Sequence, residues 1–127
     1  MQKILMVDDE SYITKIVAYK LRGAGFEVAS ARDGLEALEK VRADLPDLIL
    51  LDVVMPRMDG FETMQVLKAD PATRDIPVVF VTVKGKMEDQ QRGLQLGAAD
   101  YLTKPFSPND LLQCLQQVLH RGTIAAG

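Results

Sequence analysis

Five short apolar runs, each followed by a stretch of helical period, constrain this chain more than any other feature. The runs are Ile4–Val7, Phe26–Ala29, Leu48–Leu51, Val78–Val81 and the shorter Tyr101–Thr103. Unbroken apolar character, as opposed to alternation, marks strands covered on both faces, as in a parallel sheet. The first intervening stretch places Ile13, Ile16, Val17 and Leu21 on one helical face and stops at Gly23 and Gly25. Glu10 and Ser11 can cap that helix. The second carries Leu35, Leu38 and Val41 and ends before Pro46, and the third runs from Asp59-Gly60 through Phe61, Met64 and Leu67 to Asp70-Pro71. A fourth, around Met87–Leu96, is polar and poorly patterned, and so is expected to be the least rigid. The last, Pro108–His120, is amphipathic through Leu111, Leu112, Leu115, Val118 and Leu119. Five alternations of strand and helix predict an α/β fold: a doubly wound, five-stranded parallel sheet in the order 2-1-3-4-5 with helices on both faces.

The remaining bulk properties narrow the functional classes. A chain of 127 residues suits one domain and can bury a core without disulfides or structural metal. The net charge of −3 is spread along the sequence, with no basic stripe to hold a phosphate backbone, so direct nucleic-acid binding is not expected. The apolar stretch Lys3–Val7 is too short for a signal peptide or a membrane span and ends in two aspartates. With Cys114 as the single cysteine, a reducing, cytoplasmic compartment is the expected setting. Cys114 lies beside the apolar stripe of the last helix and is expected to pack there; His120 is expected at the surface near that helix's end.

Polar residues fall at the carboxyl end of the predicted strands. Asp8-Asp9 follow the first, Asp52 the third, Thr82 the fourth and Lys104 the fifth. Ligands of open α/β sheets bind at that edge, near the point where strand order reverses. One aspartate after a strand is ordinarily a turn or cap residue. Three at adjacent strand ends repel one another unless a cation intervenes, and Mg²⁺ suits an all-oxygen site of few carboxylates. Asp52 is then a carboxylate nucleophile able to form an acyl phosphate. Mg²⁺, the Lys104 ammonium, and the Thr82 hydroxyl with nearby backbone N–H groups can share the three equatorial oxygens of a transferring phosphoryl group. A cis bond at Lys104-Pro105 would aim the lysine back at this pocket. Asp59-Gly60 is a turn signal, and Asp59 is expected to serve the turn.

Asp8-Asp9, Leu51-Asp52-Val53-Val54-Met55-Pro56, Asp59-Gly60, Thr82 and Tyr101-Leu102-Thr103-Lys104-Pro105-Phe106 together resemble a response-regulator receiver domain, the CheY-like family of two-component signalling. The resemblance spans residues 2 to about 121 and implies a flavodoxin-like fold. It makes residues 1–121 the receiver domain and 122–127 a flexible tail or the start of a linker. It implies that Asp52 accepts a phosphoryl group from a phosphohistidine on a sensor histidine kinase or histidine phosphotransfer protein. Asp9, Asp52 and the Val54 carbonyl would ligate Mg²⁺, with Asp8 acting through metal-bound water, while Thr82 and Lys104 contact the phosphoryl oxygens. The threonine would shift towards the phosphate and Tyr101 turn inward, remodelling the surface of helix 4, strand 5 and helix 5 for a downstream effector. The first-helix face near Ile13, Thr14 and Val17 would dock the phosphodonor.

The departures from the family pattern are Val83, where alanine or glycine is usual, together with Val54 and Lys84. Val83 is expected to narrow access to the phosphoryl group or to restrict the inward tyrosine. Val54 and Lys84 offer nothing to position a hydrolytic water, so self-dephosphorylation is expected to be slow. An unphosphorylated module of the same fold usually lacks the acceptor, the lysine or an acidic partner, all kept here. An aspartyl-phosphate phosphatase needs a second acid where Val54 stands, and no glycine-rich loop supports a nucleotide-binding domain. The Gln-rich outer face of the last helix (Gln113, Gln116, Gln117) carries no salt-bridge pattern for a phosphorylation-driven dimer.

Overall fold

The structure, a computed structural model, describes residues 1–9 and 11–126, the side chains of residues 11–13 and 122–126 excepted. Strands and helices alternate: β1 (Lys3–Val7), α1 (Ser11–Gly23), β2 (Glu27–Ala31), α2 (Gly34–Ala43), β3 (Leu48–Leu51), α3 (Gly60–Ala69), β4 (Val78–Thr82), α4 (Met87–Gln95), β5 (Asp100–Thr103) and α5 (Pro108–Ala126). The strands form one sheet in the order β2-β1-β3-β4-β5, every pair parallel. This is the doubly wound, flavodoxin-like architecture that the alternation of elements predicts.

The pleat sorts each strand's side chains between two cores. Ile4, Met6, Leu48, Leu50, Val79 and Val81 face one way and meet Val17 and Leu21 of α1 and Leu111 and Leu115 of α5. Leu5, Val7, Ile49, Leu51, Val78 and Phe80 face the other way and meet Leu38 and Val41 of α2 and Phe61, Met64 and Leu67 of α3. Burying one such side chain stabilises by about 1.5–3 kcal/mol. The three central strands, covered on both sides, therefore form a stiff edge from which polar residues can project. At the sheet's margin β2 is exposed at Glu27, Ala29 and Ser30 and buried only at Val28 and Ala31, so its burial is not continuous. On the other flank α4 buries only Gly93.

Two residues expected on inward stripes face water: Ile16 is 45% exposed and Leu35 43%. The inward stripe of α1 is instead Thr14, Val17, Ala18 and Leu21, and Ile16 stands about 100° round from Val17. In α2 the inward residues are Gly34, Ala37, Leu38 and Val41. Cap chemistry explains two helix starts. Asp59 caps α3 in a capping box with Glu62, and Asp33 caps α2 by accepting the Glu36 N–H. Asp59 thus serves the turn, as its sequence suggests. The last helix continues past His120 to Ala126. The proposed cap at Glu10 and Ser11, the Ile13 side chain and Gly127 lie outside the described residues.

Candidate functional site

Hydrogen bonds that prolong the strand ladder fix three of the polar residues at the sheet's edge. The Asp8 N–H donates to the Ala31 carbonyl at 3.0 Å, Asp52 N–H to Val7 at 2.9 Å, and Lys104 N–H to Thr82 at 2.7 Å. The Lys104-Pro105 peptide is cis, and the lysine side chain reaches back across the strand ends. Its Nζ donates to Asp8 Oδ2 at 2.7 Å and to Asp52 Oδ2 at 3.1 Å. The side chains are only 7% (Lys104), 10% (Asp8) and 4% (Asp52) exposed. Burial alone would lower the lysine's pKa, but the hydrogen bonds and charges of Asp8 and Asp52 outweigh it, and the ammonium is held above its ordinary value.

Asp9 completes the cluster from the solvent side. Asp8, Asp9 and Asp52 each bring a carboxylate oxygen within 4.8 Å of the others. Counting only these four described groups, three carboxylates against one ammonium leave two negative charges, which a divalent cation would balance. The donors are all oxygen, and the exposed Asp9 leaves an open side where water can complete the coordination. This chemistry fits Mg²⁺, which keeps several waters and uses few carboxylates.

The acceptor loop and the β4 end supply the rest. Val54 presents its N–H to Asp52 Oδ1 at 3.1 Å, while its side chain is 46% exposed. Thr82 is fully buried, and its Oγ1 accepts the Lys84 N–H at 3.3 Å. Tyr101 lies inward, with its ring centroid 5.7 Å from that of Phe80, and its hydroxyl donates to the Lys84 carbonyl at 2.6 Å. The peptide groups of Lys84 are thus held by both Thr82 and Tyr101. Burial, then the charges of Asp89 and Asp52, push the Tyr101 phenol up to about 12. Of the two effects expected of Val83, narrowed access to the phosphoryl group and a restricted inward tyrosine, the structure bears on the second. Val83 is 63% exposed, and the tyrosine is buried with Val83 in place.

Other expectations divide the same way. Thr14 and Val17 are both buried, Val17 within the core, so little of either is exposed on the expected docking face. Val17 and the exposed Ile16, with Val83, Pro105, Phe106 and Pro108, do line an open groove beside Lys104. Cys114 packs as expected: its Sγ donates to Asp100 Oδ2 at 3.3 Å, and burial first, then Asp100, push the thiol up to about 12. His120 is at the surface. Sequence reasoning missed Asp33, Arg57 and Gly93. Asp33 ahead of Glu36 is a readable cap signal, whereas nothing local announces that Arg57 pairs with it. Nor does sequence show that Gly93 lies against the rings of Tyr101 and Phe80.

Comparison with known proteins agrees with this fold. The family model described as response regulator receiver domain matches residues 4–116. The alkaline phosphatase synthesis transcriptional regulatory protein PhoP of Bacillus subtilis is 42% identical over 125 residues, 98% of this chain and 51% of that protein. The phosphate regulon transcriptional regulatory protein PhoB of Escherichia coli is 42% identical over 120 residues, 94% of this chain and 52% of that protein. The chain therefore spans about half the length of these curated relatives. Among solved structures, the chemotaxis protein CheY4 of Vibrio cholerae superposes with a TM-score of 0.88 at 40% identity, covering 93% of this chain and 98% of that one. The signal receiver domain of a histidine kinase from Syntrophus aciditrophicus gives 0.87 at 33%, covering 94% and 91%. A family match over almost the whole chain, on a shared fold, makes this chain a member of the receiver domain family of two-component response regulators.

Proposed function

We propose that this receiver domain is a Mg²⁺-dependent phosphoacceptor switch in which Asp52 is the acceptor. One observation carries the reading: Lys104 Nζ bridges Asp8 and Asp52 inside a three-carboxylate cluster at the switch point of the sheet. The donor is a phosphohistidine of a sensor histidine kinase or a histidine phosphotransfer protein. An Asp52 oxygen attacks phosphorus, the phosphorus–nitrogen bond to the imidazole breaks, and the imidazole leaves with that electron pair. Asp9, Asp52 and the Val54 carbonyl would hold the cation, with Asp8 acting through a bound water. When bound, Mg²⁺ supplies charge neutralisation at the phosphoryl oxygens.

The chain's own groups do the rest. Lys104, already charged and aimed at Asp52, keeps its ammonium on the phosphoryl group. Thr82 turns its hydroxyl from the Lys84 N–H to donate to a phosphoryl oxygen. Because Tyr101 is bound to the same residue, Lys84, loss of the Thr82 contact is felt along β5, and the surface of α4, β5 and α5 changes for a downstream effector. Val54, apolar and exposed beside Asp52, offers no group to orient water, which supports slow self-dephosphorylation. The groove of Ile16, Val83, Pro105, Phe106 and Pro108 beside Lys104 is where the phosphodonor docks. The domain occupies residues 1–121 and works in the cytoplasm, and among the described residues no helix is long and apolar enough to cross a membrane. This segment does not itself contact nucleic acid. PhoP and PhoB, which this chain matches over about half their length, are transcriptional regulators; the output here is either a partner that docks on this domain acting alone or a further part of a longer regulator.

Intact mass after incubation with acetyl phosphate tests the reading, with and without Mg²⁺, on wild type and Asp52→Ala. The expected result is one added phosphoryl group that requires Mg²⁺ and is absent from the variant. No adduct under any condition, or an adduct that persists in Asp52→Ala, sinks the assignment in favour of an unphosphorylated interaction module.

A further inference from the structure

The loop from Asp52 to α3 is fastened at two points. At its neck the Gly60 N–H donates to the Val53 carbonyl at 2.9 Å. The approach is so close that a Cβ on residue 60 would lie 2.3 Å from the Asp52 carbonyl oxygen. At its tip, Arg57 has a φ of 67°, in the left-handed region that residues with side chains rarely occupy. From there the guanidinium reaches Asp33 at the start of α2. Its Nε donates to Asp33 Oδ2 at 3.2 Å, and a second guanidinium N–H donates to the same oxygen.

Asp33 is a firm anchor. Its side chain is 8% exposed, and its Oδ1 accepts the Glu36 N–H at 2.9 Å. The arginine is different, with a side chain 63% exposed. Ion pairs of that exposure add little to stability. Neither flanking helix needs the pair, because Asp33 caps α2 and Asp59 caps α3 without Arg57. A residue held in an uncommon conformation, for a contact of small stabilising value, points to local geometry as the thing maintained.

Between neck and tip lies Val54, whose N–H is bound to Asp52 Oδ1. We propose that the Arg57–Asp33 pair is a positioning device: it ties the tip of the acceptor loop to α2 and so sets the orientation of the backbone on both sides of Val54 beside Asp52. The inference rests on the phosphoacceptor reading, in which the Val54 carbonyl, on the peptide that follows this N–H, is a cation ligand. Mg²⁺ demands near-ideal octahedral geometry, so a ligand peptide free to rock loses affinity. Arg57 touches neither the carboxylate cluster nor, in this reading, the phosphoryl group. It acts through the backbone it holds.

The test is titration of Mg²⁺ alone into ¹⁵N-labelled protein, following the Val54 amide, for wild type, Arg57→Gly, Asp33→Asn and the double variant. Glycine adopts a φ of this sign freely and asparagine is also a good N-cap, so all four proteins are expected to fold. Arg57→Gly should raise the Mg²⁺ Kd about tenfold, the lower end of what losing an outer-shell partner costs, with its Tm at or above that of wild type. The double variant should be no worse than the poorer single variant, because both remove one interaction. Acetyl phosphate labelling should slow in the same order. A wild-type Kd in Arg57→Gly, additive losses in the double variant, or a Tm that falls in step with affinity overturns the tether and leaves the phosphoacceptor reading standing. A wild-type protein that neither binds Mg²⁺ nor takes a phosphoryl group overturns both.

Discussion

The phenol of Tyr101 joins the site to the surface, and its ionisation gives a direct reading of its position. Buried against Phe80 and hydrogen-bonded to the Lys84 carbonyl, it is pushed from 10.0 up to about 12, first by burial and then by Asp89 and Asp52. The sign of the linkage follows from that direction. The neutral phenol's contribution to stability is fully present below pH 10.0 and is lost as the pH climbs towards about 12. A titration followed by the ultraviolet absorbance of tyrosinate should therefore show a late step near pH 12 that disappears in Tyr101→Phe. A titration of Tyr101→Phe identical to that of wild type would place the ring in water. Lys104 obeys the same sign in a different range. Its raised pKa keeps the ammonium charged through neutral pH, so the lysine is ready for an incoming anion without prior protonation.

At the scale of elements, α4 and β5 are joined through a glycine. A Cβ on Gly93 would lie 2.8 Å from Cδ2 of Tyr101 and 3.0 Å from Cδ2 of Phe80. Overpacking of this kind costs about 1–3 kcal/mol, against the ~1 kcal/mol that alanine gains over glycine in a helix. Gly93→Ala should consequently lower stability in urea denaturation. It should also push Tyr101 outward, so that its titration step falls back towards pH 10.0. Gly23, at the end of α1, is the contrasting case, with nothing within 4 Å of its would-be Cβ. Gly23→Ala should stabilise by about 0.5–1 kcal/mol. Equal effects of the two substitutions would show that α4 does not press on the tyrosine.

For the whole molecule, the site gathers like charges at one end of the sheet. Asp8, Asp9 and Asp52 converge at the edge of three fully packed strands, and Lys104 balances only part of their charge. A cation that binds the folded chain alone must stabilise it by mass action. Mg²⁺ at about one hundred times its Kd should raise the unfolding free energy by about 2.7 kcal/mol. The rise should vanish in Asp52→Ala, as chemical denaturation with and without the ion would show. Equal stabilisation of both proteins would place the ion elsewhere. Hydrophobic period and strand-end position are local properties of a sequence, and they determined the five elements of each kind, the parallel sheet and its order. They also marked Asp8, Asp9, Asp52, Thr82 and Lys104 as neighbours, because adjacent parallel strands bring their carboxyl ends together. The tertiary structure decided the rest. Ile16 and Leu35 face water because an inward stripe is narrower than the set of apolar residues near it. Val83 stays exposed, Tyr101 finds the Lys84 carbonyl, Gly93 admits its ring, and Arg57 reaches Asp33. Each of these depends on where separate elements stand once packed, and local sequence carries no record of a distance across the fold.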